Sequence, residues 1–178
     1  MQLDKKLLRQ QLIKKRSELD GPTHQRLSSR IISHLKQQDF FQQANTIAVY
    51  LSYNNEVDTW QLIREMMPYK RICVPTVDNS QTMHFVFLDD LEHLKKNKYG
   101  IYEPVSNLAV EKTDIDLIIV PLVGFNDQNF RLGYGGGYYD RFLAQYSGKK
   151  IGIAFQLQRT EELIPETFDV PLDMIITE

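Results

Sequence analysis

What this chain lacks narrows its function before any motif is read. There is one cysteine among 178 residues, Cys73, so no internal disulfide can form, and the thiol suits a reducing cytosol. Cys73 sits in Arg71-Ile72-Cys73-Val74-Pro75, a predicted strand. It reads as a buried structural thiol, because a reactive one needs an accessible, electropositive setting. Neither sign of charge dominates: the formal net charge is -2, with no basic stripe to attract nucleic acid. No apolar run is long enough to cross a bilayer, and the basic N-terminus is periodic and has no signal-peptide core. A soluble, cytoplasmic protein is expected. His24, His34, His84 and His93 show no metal-ligand spacing and read as structural or surface residues. Repeats, low-complexity tracts and linkers are missing too, and the length suits one domain over residues 1–178.

What is present alternates between two periods. An amphipathic helix is predicted from about Asp4 to Leu19, with Leu8 and Leu12 on its apolar stripe and Lys5 and Arg9 one turn apart. Gly21-Pro22 breaks it, and Pro22 opens a second helix to about Gln38 carrying Leu27, Ile31 and Leu35. Thr46–Leu51 is a strand, followed by a polar turn and a helix from about Asp58 to Met67 that Asp58 or Thr59 can cap. Further strands are predicted at Ile72–Pro75, at Met83–Leu88 (antiparallel and near an edge), at Asp116–Val123, Lys150–Phe155 and Met174–Thr177. Between them, Leu91 and Leu94 suggest a short helix, Lys95–Lys98 a solvated loop, and Gly100–Pro104 an irregular segment. Strands alternating with helices imply an α/β sheet covered on both faces.

One segment stands apart, Arg131-Leu132-Gly133-Tyr134-Gly135-Gly136-Gly137-Tyr138-Tyr139-Asp140-Arg141. It follows the apolar strand at Asp116–Val123, and a helical pattern resumes at Tyr138 with Tyr139, Phe142 and Leu143. Its four glycines permit sharp turning and leave backbone N–H groups uncovered for an anion. No Gly-Lys-Ser or Gly-Lys-Thr follows, so it is no Walker A loop. Tyr138 occupies the place of the third glycine of a dinucleotide fingerprint, so it is not that either.

The run RLGYGGGYYDRFL at Arg131–Leu143, the preceding PLVGFN at Pro121–Asn126 and the order of elements resemble the 5-formyltetrahydrofolate cyclo-ligase (methenyltetrahydrofolate synthetase) family. The resemblance implies a single Rossmann-like α/β domain, with a mostly parallel sheet and helices on both faces. That architecture is related to ribose-phosphate isomerase and CoA-transferase folds. It implies ATP as co-substrate, Mg²⁺, 5-formyltetrahydrofolate as substrate and a monomer or weak dimer, with no nucleic-acid or membrane partner. A non-catalytic nucleotide- or RNA-binding module and a sugar-phosphate isomerase are the rival readings of such a scaffold.

Carried over residue by residue, the resemblance sets Lys5 and Arg9 against the ATP phosphates, with Lys6 leaving the register open by one position. It places Arg131, Leu132, Gly133, Tyr134, Gly135, Gly136, Gly137, Tyr138 and Tyr139 around the nucleotide. Tyr134 to Tyr138 also face the folate, Glu56 contacts its pterin end, and Leu51 lines the pocket. A carboxylate suits the amidine-like N–H edge of a pterin. Arg131 and Arg141 are the expected catalytic cations for phosphoryl transfer. Asp140 can cap its helix or hold Mg²⁺, and the resemblance implies the metal, with Asp173 as partner and Asp169 as the neighbouring alternative.

Overall fold

The apolar runs lie side by side. The computed structural model describes residues 4–78, 80–98, 100–106 and 108–178. It opens with α1 (Lys5–Ser17), α2 (Gly21–Lys36) and α3 (Asp39–Gln43), then β1 (Thr46–Val49), α4 (Trp60–Met66), β2 (Arg71–Val77) and β3 (Met83–Phe87). There follow β4 (Leu94–Lys96), β5 (Tyr102–Pro104), β6 (Leu117–Val120), β7 (Gly124–Phe125) and β8 (Arg131–Leu132). The last elements are α5 (Tyr138–Leu143), β9 (Lys149–Ile153) and β10 (Met174–Ile176). The main sheet has the order β10-β9-β6-β1-β2-β3. All neighbours in it are parallel except β3, which closes one edge antiparallel to β2, as its sequence position suggested.

Strand periodicity divides the core into two layers. Ile47, Val49, Leu117, Ile119, Ile151 and Ile153 face one way and pack with Ile31 and Leu35 of α2 and Leu62 and Ile63 of α4. Ala48, Cys73, Ile118 and Val120 face the other way and pack with Phe142 and Leu143 of α5. Helices on both faces therefore explain why β1 and β6 are apolar at every position. A third, smaller cluster seats α1 on the main body: Leu8 and Leu12 pack on Val123, Leu132 and Leu163.

Local signals act where the sequence put them. Asp20 accepts the Thr23 N–H at 2.8 Å to start α2, with Pro22 in its first turn. Of the two capping candidates for α4, Asp58 accepts the Trp60 N–H at 2.8 Å, whereas the Thr59 hydroxyl turns inward to the Tyr50 carbonyl. Three expectations change. Leu91–His93 forms only a 3₁₀ turn. The supposed loop at Lys95–Lys98 and the irregular Gly100–Pro104 instead supply β4 and β5, which pair antiparallel. Such short, exposed strands carry no burial pattern, and their hairpin is anchored by Tyr102 edge-on to Trp60 at 5.3 Å between ring centroids. The short α3 had no sequence counterpart.

Candidate active site

A cleft of about 840 Å³ opens over the carboxyl ends of β1 and β6, where ligands gather in open α/β sheets. Its walls come from α1, the loop after β1, the Gly loop between β8 and α5, the β4–β5 hairpin and residues 166–169. Leu51, Glu56, Lys5, Arg9, Asp140 and every residue from Arg131 to Tyr139 line it. Arg141 and Asp173 do not.

The Gly loop is shaped by its backbone. Gly135 has φ 103 and Gly137 φ 68, conformations that cost a side-chain-bearing residue about 1 kcal/mol or more. Gly137 also begins α5 with no side-chain cap, so the first N–H groups of the turn stay uncovered. Arg9 Nε donates to the Gly133 carbonyl at 2.7 Å, which lays its guanidinium along the loop. Lys5 Nζ donates to Glu166 at 2.6 Å and Asp169 at 2.8 Å. Partial burial pulls the Lys5 ammonium down, but these two carboxylates hold it above its ordinary value. Lys6 is exposed and outside the cleft, and Lys5 is the lysine that lines it.

At the root of the loop, Arg131 Nη2 lies 3.1 Å from Asp140 Oδ2, and the Val170 N–H donates to the other Asp140 oxygen at 3.3 Å. Arg141 stands on the outer side of the loop, exposed, donating to the Gly136 carbonyl at 3.0 Å beside the Tyr138 ring. It braces the loop from behind, because one helical step turns it away from the side that Asp140 faces. Asp173 is a larger departure. It precedes β10, at the amino ends of the parallel strands, and accepts the Lys150 N–H at 2.7 Å. The aspartate that shares the cleft wall with Asp140 is Asp169, which the 166–172 segment carries to Lys5 and close to Arg131. Tyr139 packs edge-on against Phe85, with its hydroxyl buried and no hydrogen-bond partner among the described residues.

The deeper end of the cleft is built from residues far apart in sequence. Asn54 and Asn55 both adopt positive φ, 47 and 56, which asparagine tolerates, and this tight turn brings Glu56 into the cleft wall. Glu56 Oε2 accepts the Tyr53 N–H at 2.8 Å, and Oε1 accepts the Tyr134 hydroxyl at 2.7 Å. Burial pushes the Glu56 carboxyl above its ordinary value, against the pull of these two donors and of Arg16. Burial likewise pushes the Tyr134 phenol up, reinforced by Glu56. Arg16 donates to the same Tyr134 oxygen at 2.8 Å and to the Asn54 carbonyl at 2.9 Å. Sequence reasoning missed Arg16, yet a signal existed. At about 100° per residue, positions 5, 9 and 16 fall within an arc of about 40° of α1, next to the stripe that docks the helix. Leu51 lies in the loop after β1, which ends at Val49.

His24 meets the Glu56 carbonyl at 2.7 Å and His34 the Thr177 carbonyl at 2.9 Å, structural placements for both. Among the described residues no group of three or more His, Cys, Asp or Glu converges on a metal site. No helix among them is long and apolar enough to cross a membrane.

Comparison with known proteins gives a consistent picture. The profile of the 5-formyltetrahydrofolate cyclo-ligase family matches residues 1–178. A 5-formyltetrahydrofolate cyclo-ligase of Haemophilus influenzae is 36% identical over 138 residues, covering 73% of this chain and 74% of that protein. One from Mycoplasma pneumoniae is 30% identical over 182 residues, 99% of each chain. The solved structure of a Mycoplasma pneumoniae 5,10-methenyltetrahydrofolate synthetase superposes with a TM-score of 0.81 at 30% identity, over 98% of this chain and 99% of that one. That of the Aquifex aeolicus 5,10-methenyltetrahydrofolate synthetase reaches 0.87 at 34% identity, over 97% of this chain and 89% of that one.

Proposed function

The chain belongs to the 5-formyltetrahydrofolate cyclo-ligase family and is an enzyme of that class, and from that premise we propose that it couples ring closure of 5-formyltetrahydrofolate to ATP and Mg²⁺. The products are 5,10-methenyltetrahydrofolate, ADP and phosphate. An N-formyl oxygen is a poor leaving group. It takes the γ-phosphoryl group of ATP, and ADP departs. N10 then bonds to the activated carbon and gives its proton to solvent. The carbon–oxygen bond to phosphate breaks last, and the conjugated cation remains.

Such a reaction asks the protein for positioning and charge neutralisation. The observation that carries the proposal is one cleft holding two kinds of subsite. At one end are the Gly loop amides with Arg9 laid along them and Lys5 nearby. At the other is a buried carboxylate, Glu56, fixed by two donors. The first fits a triphosphate, the second the donor edge of a pterin. Arg131, buried at the loop, is the cation placed to stabilise the transferring phosphoryl. Mg²⁺ takes one or two carboxylates plus substrate phosphate oxygens, and Asp140 and Asp169 fit that donor set. Bound there, the ion would neutralise and orient the phosphates.

The decisive assay mixes the protein with 5-formyltetrahydrofolate, with and without MgATP, and follows the methenyl absorbance together with ADP. Equal amounts of both products, only with MgATP, are expected. Chromophore without ATP, or ADP without chromophore, would overturn the proposal.

A further inference from the structure

Arg16 is 1% exposed, yet among the described residues it forms no direct ion pair. Leaving a buried guanidinium without a carboxylate is costly. Its polar contacts are two backbone carbonyls, of Asn54 and Leu122, and the phenol oxygen of Tyr134. We propose that Arg16 is a positioning residue that acts through Tyr134 to hold Glu56 as a carboxylate aimed at the pterin edge of the folate. The proposal rests on the folate reading of the cleft given above.

The direction of the hydrogen bonds carries the argument. A guanidinium only donates, so the Tyr134 oxygen accepts from Arg16 at 2.8 Å. The single phenol hydrogen is then left for Glu56 Oε1, 2.7 Å away. The other carboxyl oxygen accepts a backbone N–H, that of Tyr53, at 2.8 Å. Both oxygens of Glu56 are therefore committed as acceptors, and a proton on either would compete with a donor already in place. Each oxygen keeps a second lone pair for the cleft, where a bidentate N–H edge can meet it. Tyr134 also belongs to the phosphate loop, so one side chain joins the two subsites.

The groups facing Glu56 come from five elements. They are Arg16 of α1, Tyr134 of the Gly loop, Tyr139 of α5, Tyr50 after β1, and Tyr53 of its own turn, while His24 of α2 meets its main-chain oxygen. Of these, Arg16, Tyr134 and the Tyr53 N–H favour the charged carboxylate against burial. With the Arg16–Tyr134 arm removed, burial has less opposition, and Glu56 holds its proton to higher pH. A neutral carboxyl accepts only one of the two pterin N–H bonds, so folate binding then fails earlier as pH falls.

The test is calorimetric titration of 5-formyltetrahydrofolate into the full chain without nucleotide, over roughly pH 5.5–8. Tyr134→Phe removes one oxygen and keeps the ring, so its fold is secure even if Arg16→Met proves unstable. Both variants should weaken binding about tenfold or more at neutral pH, the scale of a hydrogen bond to a charged group. The acid limb of the affinity profile should move to higher pH in each, and the double variant should be little worse than the weaker-binding single one. Arg16→Lys, which restores a donor, should recover part of the loss. Wild-type affinity in Tyr134→Phe would overturn the proposal, as would a loss that is uniform with pH. Turnover of the wild type with MgATP reads out separately. An active wild type with unaffected variants sinks only the relay, and an inactive wild type with the expected binding shifts sinks only the reaction.

Discussion

Arg131 and Asp140 join the two ends of the Gly loop, Nη2 to Oδ2 at 3.1 Å, with side chains only 4% and 19% exposed. The strand that enters the loop and the helix that leaves it are thus tied by the two charges assigned to the phosphoryl group and the metal. Loop shape and site charge share one ion pair.

Arg131→Ala removes a cation from the transferring phosphoryl and leaves Asp140 partly buried and unpaired. Turnover should fall on the order of a hundredfold or more, as for loss of comparable stabilising donors. Stability should drop by about 3 kcal/mol, the lower end for breaking a buried pair. Steady-state kinetics on the folded fraction and thermal unfolding separate the two effects. Wild-type turnover would remove Arg131 from the chemistry.

The carboxylates sort by position. Asp140→Asn and Asp169→Asn should each raise the Mg²⁺ concentration needed for half-maximal rate. Asp173→Asn, at the far end of the sheet, should leave that requirement unchanged and cost about 1 kcal/mol through the weakened bond to the Lys150 N–H. A Mg²⁺ titration of the three variants decides, and a shift confined to Asp173→Asn would reverse the assignment.

Glu56 is held above its unfolded value by burial, so the folded state keeps this proton to higher pH than the unfolded chain does. Folding stability from this group is therefore greatest below the ordinary glutamate range and declines as pH rises through the folded value. Glu56→Gln, which cannot ionise but sets an amide N–H against one of the two donors, should lose folate affinity and should show a flatter dependence of Tm on pH. Its Tm relative to the wild type should fall as pH drops toward 4 or so. A variant that is less stable at neutral pH and more so in acid would contradict the sign.

Cys73 is fully buried between β1 and β3, and burial pushes its thiol up to about 12. A maleimide reagent should leave the native chain unlabelled at neutral pH and label it once denatured. Rapid native labelling would show that β2 opens.

The two ends of the cleft differed in how far they could be read from residues alone. The Gly loop, its flanking Arg131 and Asp140, and Lys5 and Arg9 of α1 are short-range patterns, and the cleft contains them all, but not Arg141. Arg141 falls outside the cleft because adjacent helical residues diverge by about 100°. Setting Asp169 rather than Asp173 at the cleft needed the direction of β10, which spacing does not carry. The β4–β5 hairpin was unreadable because its strands are short and exposed.

The chain by itself determined the parallel sheet, the two-sided core and the glycine-rich bend, because each follows from local periodicity or from glycine's backbone freedom. Tertiary structure alone decided that Asp169 and not Asp173 lies in the cleft wall with Asp140, and how Glu56 is held. Arg16 and Tyr134 are 118 positions apart and Tyr134 and Glu56 are 78 apart, so only the folding of α1 and the loop onto β1 and β6 lets them meet. A hydrogen bond senses direction within a few ångströms, and no spacing rule in a linear sequence encodes that.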